Sequence, residues 1–285
     1  MIDYAGLFLP AELDMQSAVA NYATYHDSEV AWALGRFILP VSRLAEFETA
    51  AQHFLSHAPA TAPWQLSVLS ANDLQSDLAA IEAFNERYAQ RAVIDTIELK
   101  ASQPDEIVAA MRILPDQITP YFEIPIADDP TALIATIGRE RGRAKVRTGG
   151  TTRAMFPNPE ELLHFIGACV AARVPFKATA GLHHPLRAQY RLTYKPDSER
   201  GTMYGFLNVF LIAAFLAAGM NVDESMQVLI EESPEAFQFD DSGIDWRGRR
   251  LTGESLARAR EELAISFGSC SFEEPIDELK AMKLL

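Results

Sequence analysis

The chain has 285 residues, of which 48% are hydrophobic, and a formal net charge of −14. This length and apolar content suit one large core, and α/β barrels of roughly 250 residues commonly form a single domain, here residues 1–285. The negative charge argues against nucleic acid or an anionic membrane surface as the main partner, because either would repel the protein.

Targeting and membrane-spanning segments are not expected. The opening MIDYAGLFLPAELD lacks the basic region of a signal peptide. The longest apolar stretch, 206–220, is shorter than the roughly 20 residues of a bilayer span and contains Asn208. Cys169 and Cys270 have no metal-site or CxxC spacing, which predicts two reduced thiols. We therefore expect a soluble, cytoplasmic protein, and the composition leaves a homo-oligomer open.

Short apolar runs alternate with amphipathic stretches along the chain, separated by Gly, Pro or Asp. This alternation predicts βα units and a mostly parallel sheet. Seven strands are predicted at 2–8, 36–40, 64–70, 93–100, 120–125, 144–150 and 176–181. Helices are predicted after the first six strands, at 14–27, 43–58, 72–90, 103–114, 129–142 and 158–174.

The eighth unit is less regular. We predict helices at 204–219, 223–232 and 253–264, and a hairpin at 237–251 that turns at 241–243. Residues 264–272 are the predicted eighth strand, and 273–285 are the closing helix. The whole pattern predicts a (β/α)8 TIM-type barrel with an insertion of helices and a hairpin around 200–260. An incomplete barrel or an open sheet is the alternative.

Charged residues stand at the ends of four predicted strands. Active sites of barrels lie at the carboxyl ends of the strands, and charge in a parallel strand is costly unless it is paired or used. Because side chains alternate along a strand, Lys145 and Arg147 share a face, as do Lys177 and Thr179. The strand ends thus predict one mouth lined by Glu98, Lys100, Glu123, Lys145, Arg147, Lys177 and Thr179.

Lysine usage points to the same positions. The chain has 19 Arg and only six Lys, and three of the lysines fall at these strand ends. Lysine can lose its proton and act as a nucleophile or base, whereas arginine cannot. The alternative is that Lys145 and Lys177 are ion-pair partners of Glu98 and Glu123, or simple anion binders.

A cationic run at 139–153 is typical of an anion site. It holds six cations and one acid in an otherwise acidic protein. The N–H groups of Gly149 and Gly150, next to Thr148, are expected to approach a phosphate or carboxylate. Phosphate sites in barrels also use the loops after strands seven and eight, which adds Gly181 and Ser269 as candidates.

Two lysine segments resemble the class I aldolases of the deoxyribose-phosphate aldolase type. They are Lys-Val-Arg-Thr-Gly at 145–149 and Lys-Ala-Thr-Ala-Gly at 177–181, and Ile-Asp at 94–95 and the N-terminal segment are also similar. The resemblance implies that Lys145 forms a Schiff base, that Lys177 tunes it, and that Asp95 lies at the site. Arg147 departs from the family, which has a small residue there.

The order of side chains on the fourth strand poses a question. Asp95 faces opposite to Glu98 and Lys100, so the two sets cannot share the mouth without a bulge. His183 and His184 follow the seventh strand and also have no family counterpart. On an extended segment, at most one of them faces the site.

The leading hypothesis is a lyase or isomerase that acts on a small anionic carbonyl compound without a cofactor. Lys145 would attack the carbonyl, with its pKa depressed by Lys177, and Glu98, Glu123 or Asp95 would move protons. One alternative is a metal held by Glu98, Glu123 and His183 or His184, with enolisation or hydrolysis as the chemistry. Others are a nucleophilic Cys270 without an identifiable base, and a barrel that only binds a metabolite.

Overall fold

The computed structural model describes residues 1–57, 62–71 and 73–285. Its strands, in chain order, are β1 (Ile2–Tyr4), β2 (Leu34–Pro40), β3 (Trp64–Leu69), β4 (Ala92–Lys100), β5 (Thr119–Glu123), β6 (Arg143–Arg147), β7 (Phe176–Thr179), β8 (Ala188–Arg191), β9 (Arg200–Met203), β10 (Phe237–Asp240), β11 (Gly243–Trp246), β12 (Arg249–Thr252) and β13 (Ala264–Ser269). Strands β1 to β7 and β13 close into a barrel in which all neighbouring strands are parallel. The predicted TIM-type barrel is confirmed.

Ten α-helices are found in the described part of the chain. They are α1 (Met15–His26), α2 (Leu44–His57), α3 (Leu74–Arg87), α4 (Pro104–Met111), α5 (Thr131–Arg139), α6 (Pro159–Ala172), α7 (Phe206–Ala217), α8 (Val222–Leu229), α9 (Gly253–Glu262) and α10 (Glu273–Ala281). Position 58 of the predicted helix 43–58 and position 72 of the predicted helix 72–90 lie outside the described residues.

Aromatic packing joins the outer face of the barrel to its helices. The ring of Tyr22 on α1 meets Phe37 and Trp64 edge-on, at centroid distances of 5.4 and 5.1 Å. Its hydroxyl donates to the carbonyl of Gly35, 2.9 Å away, so the buried phenol keeps a partner. These contacts hold α1 against the outer side of β2 and β3.

The insertion between β7 and β13 contains the most apolar helix, α7. Asn208 is fully buried on this helix, and its amide donates to the carbonyls of Val228 and Glu231 at 2.8 and 2.9 Å. These bonds satisfy the polar side chain in the core. In the described residues, no helix combines the length and hydropathy required to cross a bilayer.

The main differences from the sequence prediction are four. Strand β1 is shorter than 2–8, because the chain turns after it, with the N–H of Phe8 donating to the carbonyl of Ala5. The eighth strand ends at Ser269, and the predicted hairpin gains a third strand, β12. The hairpin of β8 and β9 was not predicted, because its strands are only four residues long.

Candidate active site

The carboxyl halves of four neighbouring strands bring the predicted charged residues together. Glu123 on β5 is in register with Lys145 on β6, and Lys145 is in register with Lys177 on β7. Glu98 on β4 pairs with Tyr121 on β5. Adjacent strands lie about 4.8 Å apart, so side chains that point into the barrel from these positions must interact.

Lys145 lies between two carboxylates. Its Nζ is 2.7 Å from Oε2 of Glu98 and 2.6 Å from Oε2 of Glu123. The Lys145 side chain is 5% exposed, that of Glu98 is 3% exposed and that of Glu123 is 15% exposed. The ammonium group is therefore nearly enclosed, with its more open side towards Glu123.

Lys177 also lies between two carboxylates, of which one is again Glu98. Its Nζ is 2.6 Å from Oε1 of Glu98 and 2.7 Å from Oδ2 of Asp3 on β1. The hydroxyls of Ser67 and Ser266 donate to these same two oxygens, each at 2.8 Å. Glu98 thus joins the two lysines through the two oxygens of one carboxylate.

The pKa shifts follow from this pairing. Burial alone would raise the pKa of Glu98, but the charges of Lys145 and Lys177 outweigh it and hold that pKa well below the usual range. Burial is outweighed in the same way at Asp3, whose pKa is lowered mainly by Lys177. Burial would lower the pKa of Lys177, yet Asp3 and Glu98 raise it above that of a free lysine. These three groups are therefore ionised at neutral pH.

Strand β4 has one residue more than β3 at a bulge. This residue is Asp95, and its side chain does not reach the lysines. Leu66 pairs with Ile94, but Ser67 pairs with Thr96, so Asp95 is the extra residue. Its two oxygens accept from Nε and Nη2 of Arg36 on β2, both at 2.6 Å. Asp95 thus binds Arg36, and it contacts neither Lys145 nor Lys177 among the described contacts.

A cavity of about 230 Å³ opens above the lysines at the carboxyl end of the barrel. Its charged lining comes from Glu98, Lys145, Arg147 and Lys177, and the rest is apolar or small apart from Thr179, His183 and Cys270. In the described part of the chain, Arg147 has neither an ion pair nor a hydrogen-bond partner. Among the three cations that line the cavity, Arg147 is therefore the one without a partner in the described residues.

The other predicted binding residues lie around this cavity. Gly149 packs against Phe156, and Gly150 packs against Met155, so closely that a Cβ at either position would clash. Thr148 donates its hydroxyl to the carbonyl of Ala180, 2.6 Å away. These three residues, like Gly181, do not line the cavity themselves. Lys100 is exposed at the end of β4, also outside the cavity.

The turn after β7 has an unusual backbone. Ala180 and Gly181 have φ angles of +62° and +74°. This conformation costs a non-glycine residue roughly 1–2 kcal/mol, so Ala180, which lines the cavity, carries local strain. The turn reverses the chain and directs the following residues back over the barrel mouth.

His183 is brought to the mouth by this turn. Its Nδ1 is 3.2 Å from Oε2 of Glu274, 3.4 Å from Oγ of Ser269 and 4.0 Å from Sγ of Cys270. Ser269 is thus a neighbour of the histidine and does not line the cavity. His184 points elsewhere: its Nδ1 lies 2.5 Å from Oε1 of Glu278, and its ring stacks on Tyr190.

The metal ligands considered in the sequence have other partners. Glu98 and Glu123 hold lysines, and His184 holds Glu278. Across 1–57, 62–71 and 73–285, no group of three or more His, Cys, Asp or Glu side chains is arranged to hold a metal ion.

Sequence reasoning missed three site residues: Asp3, Tyr194 and Glu274. Asp3 carried a usable signal, since it is an acid between the apolar residues of a buried strand, the same signal that identified Glu98. Its carboxylate fits there because Gly35 lacks a side chain; a Cβ would lie 2.3 Å from Oδ1 of Asp3. Tyr194 and Glu274 had no such signal, because they lie in a loop and on a helix that only the fold brings to the mouth.

Comparisons with known family models, curated proteins and solved structures find no match for this chain. The barrel topology alone assigns the architecture. The resemblance to deoxyribose-phosphate aldolases therefore enters only as part of a proposal.

Proposed function

We propose that this protein is an aldolase-type enzyme, a lyase or isomerase, that acts on a small anionic carbonyl compound through a Schiff base on Lys145. The observation that supports this most is that Lys145, Glu98 and the unpaired Arg147 line one small cavity, and that Glu123 contacts the Lys145 ammonium group from beside it. The cavity lies at the carboxyl end of the barrel, where enzymes of this fold carry their active sites.

The two lysines suit different roles. Lys177 lies between two carboxylates that are 1% and 3% exposed, and its raised pKa keeps it a cation. Lys145 has one fully buried partner and one, Glu123, that is partly open to solvent. A proton can leave towards Glu123 at lower cost, because water can solvate the change in charge there. Lys145 is therefore the proposed nucleophile.

The reaction balances with the groups present. Lys145 passes one proton to Glu123, and the neutral amine attacks the carbonyl carbon to form a C–N bond. Glu123 returns the proton to the carbonyl oxygen, the amine supplies a second proton, and the oxygen leaves as water. The product is an iminium ion on Lys145, with the positive charge that the ammonium group had. Glu98 remains ionised between the two lysines throughout and stabilises that charge.

Size and charge limit the substrate. A cavity of about 230 Å³ lies below the roughly 300–1,000 Å³ of typical small-molecule pockets, which favours a compound of a few carbon atoms. Arg147 is two residues after Lys145 on β6, so both side chains are on the same face of the strand. Arg147 would therefore hold a carboxylate or phosphate near the carbonyl carbon.

The test is borohydride trapping of the purified protein with pyruvate, dihydroxyacetone phosphate and glyceraldehyde 3-phosphate, followed by intact-mass measurement. Borohydride reduces an iminium ion to a stable amine, so we expect one added mass per chain with at least one compound. Lys145→Arg keeps the charge and cannot form the iminium ion, so we expect no adduct.

Lys280→Arg is the matched control, because Lys280 is exposed on α10 and lies outside the cavity. This variant should retain the adduct. An equal adduct in Lys145→Arg and in the unchanged protein would contradict the proposal, as would no adduct with any of the three compounds.

A further inference from the structure

A second cleft adjoins the cavity, and His183 lines both. The second cleft has a volume of about 270 Å³ and lies beside the hairpin of β8 and β9; its lining includes Tyr190, Tyr194 and Glu274. The proposed reaction has no role for these residues.

The two nitrogens of His183 have different surroundings. Nδ1 faces Oε2 of Glu274 at 3.2 Å, the geometry in which a ring N–H donates to a carboxylate. Nε2 has no hydrogen-bond partner among the described residues. It is not buried, so a small molecule can reach it. A carboxylate on Nδ1 thus favours the tautomer that leaves Nε2 unprotonated, on a side chain that lines the cavity.

Glu274 connects this histidine to solvent. The hydroxyl of Tyr194 donates to the same Oε2 of Glu274 at 2.8 Å and holds the carboxylate in place. The Glu274 side chain is 33% exposed, whereas that of His183 is 9% exposed. Protons can therefore exchange between His183 and water on the side away from the lysines.

We propose that His183 is the general acid–base of the cavity, and that Glu274 and Tyr194 are positioning residues that orient it and connect it to solvent. The inference rests on the proposed function, because the proton that His183 moves is on a carbon next to the iminium carbon on Lys145. The C–H electron pair forms a C=C bond, the C=N pair moves to nitrogen, and the proton goes to Nε2. Return of a proton to that carbon reverses the step.

The charge around His183 suits this role. Burial would lower its pKa, but contacts with Cys270 and Glu274 raise it to about 9. The ionisable groups facing it are Cys270, Glu274, Tyr194 and His184, and those across the cavity are Glu98, Lys145, Arg147 and Lys177. The imidazolium form can donate a proton at pH 7, and the neutral form that accepts one increases as the pH rises towards 9.

The test measures exchange of carbon-bound hydrogen for deuterium. Pyruvate or dihydroxyacetone phosphate is incubated with the full chain in D₂O and followed by proton NMR, and borohydride trapping is run in parallel. His183→Gln should keep the trapped adduct and lose about 100-fold or more of the exchange rate, the usual contribution of a general acid–base group. His164→Gln, which changes an exposed histidine on α6, should keep both.

A pH profile separates the proton-transfer role from a structural one. In the unchanged protein the exchange rate should rise with pH towards about 9. Glu274→Gln removes a carboxylate that raises the pKa of His183, so the profile should move to lower pH. Exchange that is unaffected in His183→Gln, or an unmoved profile in Glu274→Gln, would overturn this inference while trapping still supports the Schiff base. Absence of any adduct would overturn the proposed function and the role of His183 with it.

Discussion

Lys145 and Lys177 are neighbours in register, and each touches two carboxylates, yet their surroundings differ. Lys177 is enclosed: it binds Asp3, and it lies over the ring of Tyr121 at 5.2 Å. Lys145 binds Glu123, which is partly exposed. Both lysines line the cavity, so what differs is the second carboxylate: that of Lys177 is fully buried and that of Lys145 is partly exposed.

The difference shows what decides whether a buried lysine can give up its proton. Both lysines share Glu98, so this residue does not distinguish them. The second carboxylate does, because a fully enclosed pair cannot change its charge without leaving an uncompensated ion. A pair with access to water can transfer a proton.

The largest expected effect is on stability, in Lys177→Met. This change leaves Asp3 and Glu98 buried without their shared cation, and breaking a buried pair in this way costs about 3–5 kcal/mol. Urea unfolding at pH 7 measures the loss. A loss below about 1 kcal/mol would mean that these carboxylates are not held as the contacts indicate.

The pH dependence of that loss has a definite sign. The lowered pKa values of Asp3 and Glu98 give the protein stability that is present above about pH 4, the unfolded range of these groups, and is lost as pH falls through the folded values. In Lys177→Met the two carboxylates lose that cation. Protonation at low pH removes their buried negative charge, so the destabilisation of the variant decreases. The stability difference should therefore be smaller at pH 4 than at pH 7. A difference that grows on acidification would be contrary to this account.

Lys145→Met should destabilise less, by about 1–3 kcal/mol. Glu98 keeps Lys177, and Glu123 can be solvated, so the cost approaches that of one unsatisfied buried group. Unfolding in urea under the same conditions gives the comparison. A cost equal to that of Lys177→Met would remove the distinction between the two lysines.

Arg147→Ala should weaken anion binding with little effect on folding. A hydrogen bond to a charged group contributes about 1.5–3 kcal/mol, which corresponds to roughly a 10- to 100-fold increase in the Kd for inorganic phosphate by calorimetry. Arg112→Ala, at an exposed arginine after α4, is the control and should bind phosphate unchanged. Equal phosphate affinity in both variants would remove Arg147 from the site.

The smallest expected effects concern the serines. Ser67→Ala and Ser266→Ala each remove one buried hydrogen bond to a carboxylate that keeps its lysine. We expect a loss of about 1 kcal/mol for each in the unfolding free energy, since the remaining partners still satisfy the oxygen. Losses near those of the lysine variants would mean that the hydroxyls, and not the ammonium groups, hold the cluster together.

The barrel and the lysine positions could be predicted from local patterns. Apolar runs that alternate with amphipathic helices specify parallel strands, and α6 begins at Pro159, one residue after the predicted start of the helix 158–174. Lys145, Lys177, Glu98 and Glu123 were identified because charge at the end of a parallel strand requires a partner.

The pairings could not be predicted, because they depend on contacts between distant parts of the chain. Asp3 and Lys177 are far apart in sequence. The bulge in β4 at which Asp95 binds Arg36 also has no local signal in the sequence. The prediction that Lys177 would activate Lys145 by like charge did not include Asp3. With Asp3, three carboxylates contact the two lysines. The proposal therefore assigns the activation of Lys145 to proton transfer to Glu123.

The most direct test of the account is to locate the borohydride-trapped adduct by proteolysis and mass spectrometry of the unchanged protein. We expect the added mass of the reduced pyruvate, dihydroxyacetone phosphate or glyceraldehyde 3-phosphate on the peptide that contains Lys145, and none on the peptide that contains Lys177. An adduct on Lys177, or spread over the exposed lysines, would contradict the assignment of Lys145 as the reactive lysine.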